Sequence, residues 1–265
     1  MRRRLLLLLI VCITGTIALS HEFWLRPMKF RFAVGEEVKV DFVVGENFTG
    51  EYWDLAKHKV EKLELITAFG RKDLTNSVKA TKGTNLTYKV SGQGTQLIAM
   101  QSNKAFIELD AEKFNAYLAE DGIENIIQLR KDKNETGIGA KEHYQRFAKL
   151  LLQSGTTMDE VFKRNVGHKL EIIPDTNPSR LKSGDYMACR VLFENKPLAH
   201  QLVKVWSILG NRVFLQNMYT ENDGTIKFPI SSMGPWMVST VKMQPADNEE
   251  VDYESIWASL VFGVE

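Results

Sequence analysis

Glu37-Val38-Lys39-Val40-Asp41-Phe42-Val43-Val44, set between Gly35 and Gly45, decides the fold class. Val38, Val40 and Phe42 alternate with Lys39 and Asp41, the period of two that gives an extended chain one apolar and one wet face. Similar short runs lie around it at 59–67 before Gly70, at 86–90 and at 96–100, so the region from Met28 to Leu109 reads as β. Beyond about residue 165 the pattern returns in seven runs: 169–173, 186–193, 202–208, 212–219, 225–230, 236–243 and 256–264. Asn222-Asp223-Gly224 between two of them is a hairpin-turn signal. These runs predict a mainly β chain with two immunoglobulin-like β-sandwich regions, an N-terminal one over 21–109 and a C-terminal one over 166–265.

Between the two regions the spacing changes. Phe114, Tyr117 and Leu118 fall at i, i+3 and i+4, with Asp110 before them as an N-cap and Gly122 after them as a stop. A second stretch, 140–153, places Tyr144, Phe147, Ala148 and Leu151 on one helical face, and the charged 131–139 between the stretches reads as an exposed loop. A helical insert or linker is therefore expected over 110–165.

The start of the chain has a different character. Basic Met1 to Arg4, an apolar run from Leu5 to Ile17, and small residues at Ala18 and Ser20 have the layout of a cleavable secretory signal over residues 1–20. A membrane anchor would need about 18 or more apolar residues, so no span is expected after cleavage, and the chain is expected to be periplasmic or secreted. The mature chain would begin at His21 with 245 of the 265 residues, enough for one large or two ordinary domains. Loss of Arg2, Arg3 and Arg4 leaves 31 basic against 33 acidic residues, a balance that gives no reason to expect nucleic acid. Cys189 would then be the single cysteine, so no internal disulfide is available, and its apolar surroundings read as a buried inert thiol.

There is no G-x-S-x-G, H-E-x-x-H, P-loop or C-x-x-C, so no catalytic motif supports an enzyme. The chemically unusual feature is positional: after cleavage His21 carries a free α-amino group beside its imidazole. Two nitrogens on one residue can chelate a transition metal, and Cu(II) and Ni(II) favour nitrogen ligands. Phe23, Trp24 and Leu25 would hold down a terminus that otherwise frays. Further ligands could come from Glu22, His168, Asp252 or Glu254, while Asp252 and Glu254 have a salt-bridge reading as well, with Arg26 as partner. His58 and His143 read as structural, His200 like His168 precedes a strand where sandwich loops cluster, and Trp206, Trp236 and Trp257 read as core.

Several motifs in order carry a resemblance. His21-Glu22-Phe23-Trp24-Leu25-Arg26-Pro27 after the signal, Val44-Gly45-Glu46 with Phe48 and Gly50, and Leu170-Glu171-Ile172-Ile173-Pro174 with Asn177-Pro178 are three of them. Lys196-Pro197-Leu198, Asn222-Asp223-Gly224, Gly234-Pro235-Trp236 and Glu254-Ser255 with Trp257-Ala258-Ser259-Leu260 are the others. Nearly the whole mature chain resembles a bacterial exported family of unknown function whose members include periplasmic accessory components of nickel and cobalt uptake transporters. The resemblance implies a β-rich extracytoplasmic protein that binds nickel, cobalt or copper through His21, with Glu22 beside it, and serves an inner-membrane metal transporter. This chain departs from the pattern after Gly-Pro-Trp, where it has Val241-Lys242-Met243 in place of an expected histidine. The alternative reading is a non-catalytic envelope scaffold without metal.

Overall fold

The structure, a computed structural model, describes residues 22–265; the expected signal segment and His21 lie outside the described residues. The chain runs β1 (Glu22–Pro27), β2 (Arg31–Phe32), β3 (Glu37–Glu46), β4 (Thr49–Tyr52), β5 (Val60–Thr67), β6 (Gly70–Asp73), β7 (Leu86–Lys89), β8 (Gly94–Ser102) and β9 (Ala105–Leu109). Helices α1 (Ala111–Glu120) and α2 (Glu124–Asp132) follow, then β10 (Ala140–Ser154), β11 (Leu170–Pro174), β12 (Tyr186–Phe193), β13 (Lys196–Pro197) and β14 (Leu202–Leu209). The chain ends with β15 (Arg212–Tyr219), β16 (Thr225–Pro229), β17 (Gly234–Pro245) and β18 (Tyr253–Val264). It is a mainly β structure with a helical insert, as the alternation predicts.

A ten-stranded sheet in the order β15-β14-β17-β18-β10-β8-β5-β6, with β2 and β9 also on β10, draws strands from both β regions. One four-stranded sheet is built from β1, β3, β4 and β7, and the other from β11, β12, β13 and β16. These two lie on opposite faces of the large one. Ile98, Met100, Ala148, Leu150, Met237 and Val261 pack with Phe23, Leu25 and Phe42, whereas their chain neighbours Leu97, Ala99, Phe147, Leu151, Val238 and Leu260 pack with Ile172, Val191 and Phe228. Because strand side chains alternate between faces, neighbours in different cores mean a sheet buried on both sides. Beyond the end of β1, the first face is covered by α1 and α2, whose Phe114, Tyr117, Leu118 and Ile126 meet Val241, Met243, Tyr253 and Trp257. Each such side chain stabilises the fold by about 1.5–3 kcal/mol when fully buried.

The first helix forms as read, with the Asp110 carboxylate accepting from the Lys113 N–H at 2.9 Å. The expected second helix over 140–153 is instead β10, the central strand that joins the two β regions, parallel to β18 from Glu142↔Tyr253 to Leu150↔Val261. Phe147-Ala148-Lys149-Leu150-Leu151-Leu152 is buried on both faces, so it shows no alternation, and its continuous apolar run contains residues at helical spacing by default. Part of the expected loop 131–139 belongs to α2. Asn222-Asp223-Gly224 does turn, with the Gly224 N–H donating to Glu221 O at 2.9 Å. It does not make a hairpin, because β15 and β16 belong to different sheets. Glycine is required at Gly50, where a Cβ would lie 2.3 Å from Val44 O and 2.9 Å from the Trp24 ring. Cys189 is fully buried, and burial pushes its thiol well above the ordinary range, which leaves it inert.

Candidate functional site

Polar side chains that strand alternation aims at the first face of the central sheet collect where neither β1 nor the helices fully cover it. Glu22 opens β1 opposite Gly45 and is 6% exposed. Its Oε1 lies 3.2 Å from Lys204 Nζ on β14, and that ammonium also donates to Asp121 Oδ1 at 2.7 Å. Asp121 caps the end of α1, its N–H donating to Tyr117 O at 3.1 Å, which fixes the carboxylate at the seam between helix and sheet. Burial pushes the Asp121 carboxyl up to about 7 against the pull of Lys204. Burial alone would lower the Lys204 ammonium, but Asp121 and Glu22 outweigh it and hold it above the ordinary lysine value.

Glu142 on β10 lies farther along the same face. It accepts from Tyr117 OH at 3.1 Å and closely from Ser255 Oγ, which in turn accepts from Trp257 Nε1 at 3.0 Å. Burial pushes Glu142 up to about 7; the hydrogen bonds from Ser255 and Tyr117 and the Arg146 charge oppose it, and the Asp121 charge adds to it. Arg146, four residues on and therefore on the same face, sits over the Tyr144 ring at 4.6 Å. Among the described residues Glu142 Oε2, Arg146 Nε and Ser259 Oγ have no hydrogen-bond partner. A buried polar atom left unpaired costs about 1–3 kcal/mol, and others like these occur elsewhere among the described residues, at Trp24, Tyr88 and Ser154 for example. Two cavities of about 10 Å³ each adjoin Glu22: one is lined also by Asp121, Lys204, Ser239 and Val241, the other by Arg146, Ser239, Trp257 and Ser259. That is the room of one water or one ion and too little for an organic substrate.

His58 completes the edge of this region. Its ring stacks on Trp53 at 5.1 Å and 8°, lies 6.3 Å from Tyr144, and is held below the ordinary histidine value by burial and by Arg146. That stacking is in keeping with the structural reading of His58, and its partner Trp53 is brought to it by tertiary packing.

The other expected site residues do not gather here. His168 packs its ring on Phe147 at 5.0 Å, in the core of the opposite face, and burial drives it down to about 3, with the Lys149 charge adding. Glu254 alternates with Ser255 and so points away from Glu142; it pairs with Lys104 at 2.9 Å, a hydrogen bond that holds its carboxyl below the usual range. Asp252 is a turn residue whose carboxylate accepts from Lys141 N–H at 2.7 Å. Arg26 takes Asp41, at 2.9 Å, as its partner instead of either C-terminal carboxylate. No group of three or more metal-ligating side chains occurs among the described residues, and no described helix is long and apolar enough to cross a membrane.

Fold and site together define a layered β protein whose first strand begins in a buried, ion-sized polar seam. The chain belongs to the DUF4198 family, a domain of unknown function, whose model matches residues 18–244. Among curated proteins none matches. Solved structures with some likeness include Escherichia coli alpha-2-macroglobulin activated by porcine elastase, at 9% identity and a TM-score of 0.26 over 91% of this chain and 20% of that one. A Salmonella alpha-2-macroglobulin mutant gives 10%, 0.24, 91% and 15% in the same order. Dimeric latent PorU from Porphyromonas gingivalis gives 10%, 0.19, 93% and 21%. The chain thus spans about a fifth or less of those proteins, and likenesses this remote carry no argument about function.

Proposed function

We propose that the protein is an exported transition-metal-binding protein, periplasmic, that takes Ni(II), Co(II) or Cu(II) through the amine and imidazole of a mature N-terminal His21 and passes it to an inner-membrane transporter. The observation that supports this reading is the burial of Glu22. Glu22, the residue that follows His21 in the chain, borders ion-sized cavities whose walls hold carboxylates and unpaired polar atoms. The donor set suits a borderline metal: two nitrogens from His21 with a carboxylate from Glu22, Asp121 or Glu142. Lys204 pairs with both Glu22 and Asp121 and its single charge balances only one of them, which leaves a carboxylate on the cavity wall to act as donor.

The test is calorimetric titration of Ni(II) and Cu(II) into protein whose first residue is confirmed as His21 by mass spectrometry, beside a control extended by one N-terminal Gly. Tight one-to-one binding that the control loses supports the reading. Equal or absent binding in both removes it and leaves the envelope-scaffold reading in its place.

A further inference from the structure

The two cavities beside Glu22 have different walls. The first sets two carboxylates, Glu22 and Asp121, around one ammonium, Lys204. The second is lined by Glu22, Phe23, Arg146, Ser239, Trp257 and Ser259, and its cation lacks a counter-charge at close range. Arg146 is 6% exposed, its Nε has no hydrogen-bond partner, and among the described residues no carboxylate lies within ion-pair distance of it. Its side chain engages Tyr144, by a hydrogen bond and by the ring at 4.6 Å. Glu142 acts on it only from farther away, being taken by Tyr117 and Ser255, and Glu22 turns its Oε1 to Lys204 at 3.2 Å. An arginine keeps its proton in a protein, and a charge taken out of water without a counter-charge costs far more than an unpaired neutral group. Arg146 therefore differs from the unpaired Trp24, Tyr88 and Ser154, which are neutral.

Strand pairing builds the rest of the cavity from donors. One row across this face of the sheet runs Ala148 of β10, Ser259 of β18, Ser239 of β17 and Lys204 of β14, through the pairs Ala148↔Ser259, Ser239↔Ser259 and Lys204↔Ser239. The next row, toward the helices, pairs Arg146 with Trp257. Alanine at 148 leaves room beside the Arg146 side chain. Ser239 Oγ accepts from Trp206 Nε1 at 3.2 Å, so its own proton is free to be given. Ser259 Oγ is buried without a partner, and Trp257 spends its Nε1–H on Ser255 at 3.0 Å. Arg146 Nε–H and the hydroxyls of Ser239 and Ser259 are thus three donors on one cavity of about 10 Å³.

We propose that this second cavity is a site for a monatomic anion, chloride, held by Arg146, Ser239 and Ser259. A metal ion there would face the guanidinium. A water could accept from two of the three donors but would leave the buried charge unbalanced. The space is that of one water, which excludes sulfate, phosphate and organic anions. Phe23 of β1 packs on the same cavity, so the anion ties the start of the first strand to β10, β17 and β18. The site stands on Arg146 and needs no metal in the neighbouring cavity.

The test is urea denaturation of the chain lacking residues 1–20 at fixed ionic strength, with sodium gluconate exchanged stepwise for sodium chloride or bromide, wild type beside Arg146→Met and Ser259→Ala. Wild type should gain stability with either halide, by about 1.4 kcal/mol for each tenfold rise beyond the Kd. Arg146→Met should lose that dependence, and Ser259→Ala should bind halide roughly tenfold more weakly. A wild-type crystal grown in bromide should show an anomalous peak between Arg146 and Ser259, a readout that stands even if Arg146→Met fails to fold. Wild-type stability indifferent to halide, the same dependence in both variants, or only water in the cavity of the bromide crystal overturns the proposal.

Discussion

Acidification should unfold this protein partly through one histidine. His168 lies in the core beneath Phe147, and burial takes its imidazole from 6.5 down to about 3, the charge of nearby Lys149 adding to the effect. The folded state refuses a proton that the unfolded chain accepts, so the contribution of His168 to stability is whole above pH 6.5 and is lost as pH falls toward the folded value. Each unit below 6.5 costs about 1.4 kcal/mol, or roughly 3 kcal/mol between pH 7 and pH 4. Asp121 and Glu142 act with the opposite sign, since their raised values add stability as pH falls below about 7, so the wild-type profile alone is a sum. The informative quantity is the difference between wild type and His168→Phe, which keeps an aromatic ring against Phe147 and removes the titrating group. Urea denaturation of both proteins from pH 7.5 to pH 4 should show the variant gaining on wild type by about 3 kcal/mol over that span. Parallel stability curves, differing by a constant, would refute the reasoning.

Three other outcomes follow from the geometry. Glu171 accepts from Lys149 Nζ at 2.9 Å and from the N–H groups of Val166, Gly167 and His168 at 2.8, 3.0 and 3.1 Å, so Glu171→Ala should lower the urea midpoint by the equivalent of about 3–5 kcal/mol; a loss under about 1 kcal/mol would mean solvent replaces the carboxylate. Glu142→Gln removes a buried acid whose pKa is raised to about 7, so relative to wild type it should gain up to about 3 kcal/mol at pH 8 and nothing below pH 4.5, read by the same denaturation series. Val241→His puts an imidazole on the wall of the cavity beside Glu22 and should tighten Ni(II) binding by roughly tenfold or more in calorimetry, whereas unchanged affinity would place the metal outside that cavity.

The parts of the fold visible in the sequence are those with one wet face or a local signal. β3 reads correctly because Lys39 and Asp41 mark its exposed side, and α1 because Asp110 caps it and Gly122 follows it. β10 is misread for the opposite reason: Lys149 and Gln153 are polar, yet both are buried and held by partners far along the chain or in the next loop. Nothing in the neighbouring residues announces a strand buried on both faces. The seam is similarly composite. Ser239, Ser255, Ser259 and Glu142 look like ordinary interruptions of apolar strands until alternation and register bring them to one face, Ser239 directly opposite Ser259. Glu22 was legible because a charge between a signal-like segment and Phe23-Trp24-Leu25 is conspicuous. Its companions Asp121 and Lys204 were not, since only the end of α1 and the position of β14 bring them together. The expected ligands His168, Asp252 and Glu254 rest on residue type; strand parity turns Glu254 away from Glu142, and packing on Phe147 under the opposite face of the sheet separates His168 from Glu22. Any metal reading therefore has to be built from the carboxylates on the side of the sheet where β1 begins.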